Sequence, residues 1–315
     1  MTKVLLDTLI PIFVGLLLGY AAGRRGLMDN LNVRNLIVLV MNFAIPSALF
    51  STIMGSSRAV LLQHIPTALM ITLVFSALYL VSYIWARRGL GMSLSDASVL
   101  ALTIGFPNAA AIALPLLRGA YGAEATVTAA LSIAIGSITI SPLTLALLEA
   151  DEQSAGNGIS IGGIFRSFPH ALIRPVVWAP LLALVGVFLG IHLPSFVTGA
   201  LTTMGSAATG SALILTGLVV SAQSFRFSGA VAITTLLKLV VQPLFALCMM
   251  LLFRMGHNDV RNITVISAIP GGFFGLVFGR GFNATPETAS SGLIGTYLAG
   301  WITLALWMLL VAVFF

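Results

Sequence analysis

Gly105-Phe106-Pro107-Asn108, with Pro115 behind it, interrupts one apolar run of the chain, and Ile269-Pro270-Gly271-Gly272-Phe273 interrupts another. Pro107 and Pro270 lie 163 residues apart in a chain of 315. A proline has no N–H to give to a helix interior, and glycine raises the cost of helical geometry. Within a bilayer, backbone groups freed in this way are tolerated only where they are buried in protein or face a polar cavity. One such break in each half of a chain is the pattern of a solute site in membrane carriers.

Composition agrees with that reading. Apolar residues make up 58% of the chain and charged residues 8%, with a mean hydropathy of +1.07. A soluble domain carries about 25% charged residues, so this chain is read as an all-α integral membrane protein. The net charge of +6 does not point to nucleic acid, because the arginines stand singly or in pairs between apolar runs. The single cysteine, Cys248, excludes an internal disulfide and, within an apolar run, reads as packing. Lys3 and Ala21-Ala22 give the first run some features of a signal peptide. Further apolar runs follow it throughout the chain, so it is read as an uncleaved span.

A span needs roughly 20 mainly apolar residues. On that ruler ten are predicted, at about 4–22, 32–52, 65–86, 94–117, 124–148, 172–191, 197–221, 229–253, 260–279 and 287–313. The longest linker runs from Glu149 to Arg174. Its second part sets Ile164, Phe165, Phe168 and Leu172 among Arg166, His170 and Arg174, which fits either a helix along the membrane surface or a plain basic flank. The loops after odd-numbered spans hold Arg24, Arg25, Arg34, Arg87, Arg88, Arg166, Arg174, Arg226 and Arg280. The opposite side holds Lys3, Arg58, Arg118, Arg254 and Arg261. The excess on the first side predicts a cytoplasmic central loop and both termini outside.

The halves look repeated. Pro46-Ser47-Ala48-Leu49 is matched by Gly210-Ser211-Ala212-Leu213 at an offset of 164, and Glu124 by Glu287 at 163. With the breaks, three matches fall at one spacing. An odd number of spans per half turns the second half over, so residues 1–150 and 172–315 are predicted as inverted repeats around a cytoplasmic linker at 151–171. If broken spans 4 and 9 cross, half-helix ends converge. The N-terminal ends suit a carboxylate, and the C-terminal ends offer carbonyls.

The candidate site follows from this. Asn108 stands beside Pro107 to satisfy freed backbone or bind a solute, while Gly271 and Gly272 beside Pro270 allow close approach to the backbone. Simple proline kinks are the plainer reading of the same residues. Lys238 is the strongly charged residue well inside a span, about 18 Å of helix beyond Arg226. It either pairs with an anion, holds the crossover through helix C-terminal carbonyls, or snorkels. Asn42, Ser47, Thr103, Gln242, Thr296 and Tyr297 are further polar candidates, each also readable as a helix contact. All nine acids fall at span ends or in loops, which speaks against a carboxylate-based cation carrier and for an organic anion. His64, His170, His192 and His257 fall near span ends, so a hydrolase triad is not expected, and neither a metal nor a cofactor is implied.

These residues resemble the auxin efflux carrier family, whose bacterial members include malonate and malate transporters. The resemblance rests on "NFAIPSALF" at Asn42–Phe50, "FPNAAAIALP" at Phe106–Pro115, "KLVVQP" at Lys238–Pro243, and Pro270 with the small residues after it. It implies ten spans in two inverted five-helix repeats, with a scaffold domain and a crossover transport domain, as in bile-acid and sodium/proton carriers. It also implies residence in a bacterial cytoplasmic (inner) membrane, and a homodimer through the scaffold fits that architecture. Pro107 stands where the family often has a small residue, Gly271-Gly272 replaces an Asn, and the long regulatory loop of plant carriers is absent. These departures favour a small dicarboxylate, malonate first and malate second. A sodium-coupled bile-acid-like symporter and an auxin-like monocarboxylate carrier are the alternatives within transport, and a non-transporting sensor is the alternative outside it.

Overall fold

The structure of the protein, a computed structural model, describes residues 2–154 and 174–315. The amphipathic stretch considered for the central linker therefore lies almost wholly outside the described residues. In chain order the helices are α1 (Thr2–Arg24), α2 (Arg34–Val38), α3 (Ile45–Met54), α4 (Arg58–Gln63), α5 (Ile65–Gly89), α6 (Leu94–Gly105), α7 (Ala109–Tyr121) and α8 (Ala125–Ile138). Then come α9 (Ile140–Ser154), α10 (Pro175–Leu189), α11 (Ser195–Ser221), α12 (Gly229–Leu236), α13 (Gln242–Leu252), α14 (His257–Ala268), α15 (Phe274–Arg280) and α16 (Glu287–Phe314). Among the described residues there is no strand, and a single isolated backbone bridge joins Pro107 and Gly271. Among the described residues seven stretches are long and apolar enough to cross a membrane: Leu6–Arg24, Arg34–Met54, Ile65–Gly89, Ala125–Gln153, Ser195–Ser221, Gly229–Leu252 and Glu287–Phe314. Their outer faces are greasy, with Leu17 and Leu18 on α1 and Ile302 and Val313 on α16 all exposed. Cys248 shares that exposure, which corrects its reading as a packing residue. An apolar run meant for lipid presents the same composition as one meant for a core.

Two π-helical turns, Leu39–Ala44 and Leu237–Val241, join α2 to α3 and α12 to α13. Each ends just before the residue preceding a proline, Pro46 or Pro243. A proline inside a helix cannot donate to the carbonyl four residues back, and its ring crowds that carbonyl. Widening the helix by a π turn relieves the crowding. For Pro243 the released carbonyl is that of Leu239, and it accepts the indole N–H of Trp307 at 2.9 Å.

The chain forms two compact units. The first comprises Met1–Leu69, Ala109–Ile135 and Ile173–Ala222; the second comprises Met70–Asn108, Gly136–Leu172 and Gln223–Phe315. Each draws on both halves of the sequence. In the first unit, α1 and α11 come into backbone contact at two glycines. A Cβ added at Gly19 would lie 2.3 Å from the Ile214 carbonyl oxygen, and one at Gly217 would lie 2.2 Å from that of Leu16. Only small residues permit such backbone approach, the usual device for joining helices where lipid removes the hydrophobic drive. Arg58 closes the end of this unit by donating to the Val187 carbonyl at 2.9 Å.

The second unit holds both breaks. It is lined by buried aromatic rings: Phe106 lies 5.2 Å from Phe274 and 5.9 Å from Phe75, between ring centroids. Phe106 fills the place a side chain at residue 136 would need, since a Cβ on Gly136 would stand 2.3 Å from its ring.

Candidate functional site

α6 stops at Gly105 and α14 at Ala268, each at the residue where proline and extended backbone take over. The two broken segments then run antiparallel past each other. The amide of Asn108 donates to the Pro270 carbonyl at 2.9 Å, and the amide of Gly272 donates to the Phe106 carbonyl at 2.8 Å. Four of the backbone groups that the breaks release thus satisfy one another. A buried unpaired amide or carbonyl would cost several kcal/mol in hydrocarbon, so this reciprocal pairing is what makes the crossing tenable.

Side chains of α16 take up what remains. The Thr296 hydroxyl accepts from the Gly271 amide at 3.2 Å and donates to the Leu293 carbonyl at 2.7 Å. The Tyr297 hydroxyl accepts from Asn108 Nδ2 at 2.7 Å and donates to the Gly271 carbonyl at 3.3 Å. Asn108 and Tyr297 are both buried. The glycines of the second break serve contact as well as conformation. A Cβ on Gly271 would fall 2.5 Å from the Thr103 carbonyl, and one on Gly275 would fall 2.5 Å from that of Val99, so α15 lies directly on α6.

Lys238 and Gln242 complete the arrangement from the π turn. Both are fully buried. The Lys238 amine donates to the Ser267 carbonyl at 2.9 Å and to Gln242 Oε1, and Gln242 Nε2 donates to the Gly105 carbonyl at 3.0 Å. Ser267 and Gly105 belong to the last turns of α14 and α6, the two C-terminal half-helix ends at the breaks. One cationic side chain and its amide neighbour therefore serve both negative helix ends, where a cation is favourable. The side chain does not snorkel. Among the described residues no carboxylate pairs with it.

Of the residues singled out from sequence, Pro107, Asn108, Thr103, Lys238, Gln242, Pro270, Gly271, Gly272, Thr296 and Tyr297 all fall in the second unit. Thr103 spends its hydroxyl on the Val99 carbonyl at 2.8 Å, and its backbone is the seat of Gly271. Asn42 and Ser47 belong to the first unit, Asn42 exposed in the first π turn and Ser47 buried in α3. The Ser267 and Gly105 carbonyls that accept from Lys238 and Gln242 carried no side-chain signature. Gly275 and Gly279 did, as small residues four apart on one face of α15. Three buried oxygens of α14, Asn262 Oδ1, Thr264 Oγ1 and Ser267 Oγ, have no hydrogen-bond partner in the protein. Such groups are rare in protein cores and mark places for ordered water or a bound polar group.

Residues 4–159 and 164–308 match the model of the membrane transport protein family. The chain belongs to this family. It is 29% identical over 303 residues to the protein called uncharacterized transporter YfdV of Escherichia coli (strain K12), covering 95% of each chain. It is 27% identical over 308 residues to an uncharacterized transporter of Methanothermobacter thermautotrophicus, covering 96% of each. Auxin efflux carrier component 8 of Arabidopsis thaliana is 22% identical over 355 residues, again with 96% of each chain covered. The chain is thus a multi-pass membrane transporter of the family that its second-, fourth- and eighth-span motifs resembled.

Proposed function

We propose that this transporter is a secondary carrier of a small organic anion, malonate first and malate or another dicarboxylate second, working by alternating access at the crossed breaks. The observation that carries the reading is the Lys238–Gln242 pair seated on the C-terminal carbonyls of α6 and α14. It places a buried cation beside a polar crossing and leaves the carbonyls that would attract a metal ion already engaged. Asn108, immediately before α7, presents a side-chain amide where that helix begins, a position that favours a carboxylate. Pro107 and Pro270 break the two helices, and Gly271 and Gly272 let the opposing backbone approach there.

This reading takes the four half-helices at the breaks as two spans and α10 as a third. With the seven long stretches they make ten spans, in two inverted repeats, with both termini outside the cytoplasmic membrane. Cysteines at Ser56 and Ser154 then label from opposite faces; labelling from one face overturns the orientation.

The testing experiment is uptake of labelled malonate into proteoliposomes, with malate, succinate, acetate and indole-acetic acid as competitors. Saturable uptake competed by dicarboxylates and indifferent to replacement of sodium by potassium is the expected result. Folded protein with no uptake, or uptake that needs sodium, overturns the substrate class or the coupling.

A further inference from the structure

The first unit contains a cavity of about 420 Å³ that shares no residue with the crossing. It opens between α3, α7, the start of α8 and the first half of α11. Its walls carry Arg118 and the hydroxyls of Ser51, Thr52, Thr126, Thr202 and Ser206. No carboxylate lines it, and among the described residues no acid pairs with Arg118, whose side chain is exposed. The volume lies within the roughly 300–1,000 Å³ of small-molecule sites. Its floor is rigid by construction. A Cβ on Gly205 would lie 2.8 Å from Ala48 Cα, so α11 rests on α3 there, and Ser51 and Thr202 join the same two helices by a 3.2 Å hydroxyl contact.

Several hydroxyls are already committed as donors to their own helix, Thr52 to Ala48 at 2.8 Å and Ser206 to Thr203 at 2.7 Å. A hydroxyl proton turns freely, so each can be redirected into the cavity when a stronger acceptor arrives. A guanidinium is the side chain best shaped for a carboxylate, which it grips through two parallel N–H donors. The residues also sit near the ends of their helices. Thr52 lies near the end of α3, Arg118 near the end of α7, Thr126 at the start of α8 and Thr202 near the start of α11. On the ten-span reading all four ends lie on one side of the membrane, the side opposite the basic loops.

We infer that this cavity is a loading site for organic carboxylates on the outer side, in which Arg118 holds one carboxylate and the wall hydroxyls hold the rest of the molecule. The inference rests on the organic-anion reading above and adds a second station to it. It assigns Arg118 a binding role that the crossing does not supply.

Full-length protein with Cys248→Ser is reconstituted with one new cysteine, either Ser206→Cys in the cavity wall or Thr203→Cys on the same helix outside it. Each is reacted with a negatively charged and a positively charged methanethiosulfonate. The anionic-to-cationic rate ratio is expected to be about tenfold higher at residue 206 than at residue 203, as one nearby uncompensated charge in a half-enclosed site would give. Arg118→Gln abolishes that excess and Arg118→Lys keeps most of it, with both variants first shown to be monodisperse. Malonate slows the reaction at 206 and not at 203, and inorganic phosphate does not.

In uptake, Arg118→Gln raises the half-saturating malonate concentration from the outer side about tenfold and leaves the maximal rate within about twofold. Equal ratios at 206 and 203 overturn the site, as does protection by phosphate equal to that by malonate. Protection by malonate without any malonate uptake leaves the cavity standing and refutes the transport reading instead.

Discussion

The two breaks solve one problem with different means. At the first, Gly105 to Asn108, a side chain does the work, since Asn108 sends its amide to Tyr297 while its backbone N–H goes to Pro270. At the second, Ile269 to Phe273, the break offers backbone groups alone, with the Gly271 N–H donating to Thr296 and its carbonyl accepting from Tyr297. The first break is therefore open to change by a polar substitution. The second has no room for a side chain at Gly271 or Gly272, which press on the carbonyls of Thr103 and Phe106. One arm of the crossing is thus tied by a side-chain amide and the other by close backbone contact.

The largest effect is expected where both arms meet, at Lys238. Lys238→Met keeps the length and apolar stem but withdraws the donor from Ser267 and Gln242. Uptake should fall at least about a hundredfold, and the melting temperature in detergent should drop by the equivalent of about 1.5–3 kcal/mol for a lost charged hydrogen bond. Uptake close to the parent value would show that neither arm needs the cation. Gly271→Ala comes next. Its Cβ would stand 2.5 Å from the Thr103 carbonyl, so a destabilisation of about 1–3 kcal/mol, read from thermal melts, is expected. An unchanged melt would mean that α15 and α6 are less closely seated than described.

Asn108→Ala should raise the half-saturating concentration about tenfold with a smaller loss of stability, about 1 kcal/mol. Unchanged affinity would move Asn108 to the supporting arm and erase the contrast. Tyr297→Phe removes one acceptor and one donor shared by both arms. In a double-mutant cycle with Asn108→Ala the two changes should fall short of additivity by about 0.5–3 kcal/mol, whereas additive effects would show the pair to be uncoupled. The smallest effect belongs to Thr296→Val, about 0.5–1.5 kcal/mol of stability and no change in affinity.

Much of this could be read from the chain itself, and the reasons are particular. Proline and glycine inside an apolar run have few meanings in a membrane, so the breaks at Pro107 and Pro270 announced themselves. A lysine twelve residues beyond Arg226 stands deep along the span, and the structure decides against the snorkelling that the sequence left open for Lys238. What it touches did not follow, because the carbonyls of Ser267 and Gly105 exist at every residue and only tertiary structure selects two of them. The π turns were hidden for a related reason. Pro46 and Pro243 signalled a disturbance, but whether a helix kinks or widens depends on what takes the released carbonyl, and for Pro243 that is Trp307, 68 residues beyond the Leu239 carbonyl it binds. The interleaving of the two units was equally out of reach, since a linear reading divides the chain by halves while packing assembles it from pieces of both.

The antiparallel pairing of the breaks has a consequence for how the molecule breathes. Proline and glycine interruptions are ordinarily the places where a helix frays and its amides trade protons with solvent. Here the amides of Asn108 and Gly272 are locked into carbonyls of the opposite segment at 2.9 and 2.8 Å, in the interior of the second unit. Exchange with deuterium at these two positions requires that both spans separate together. The interruptions should therefore number among the slowest-exchanging sites in the protein.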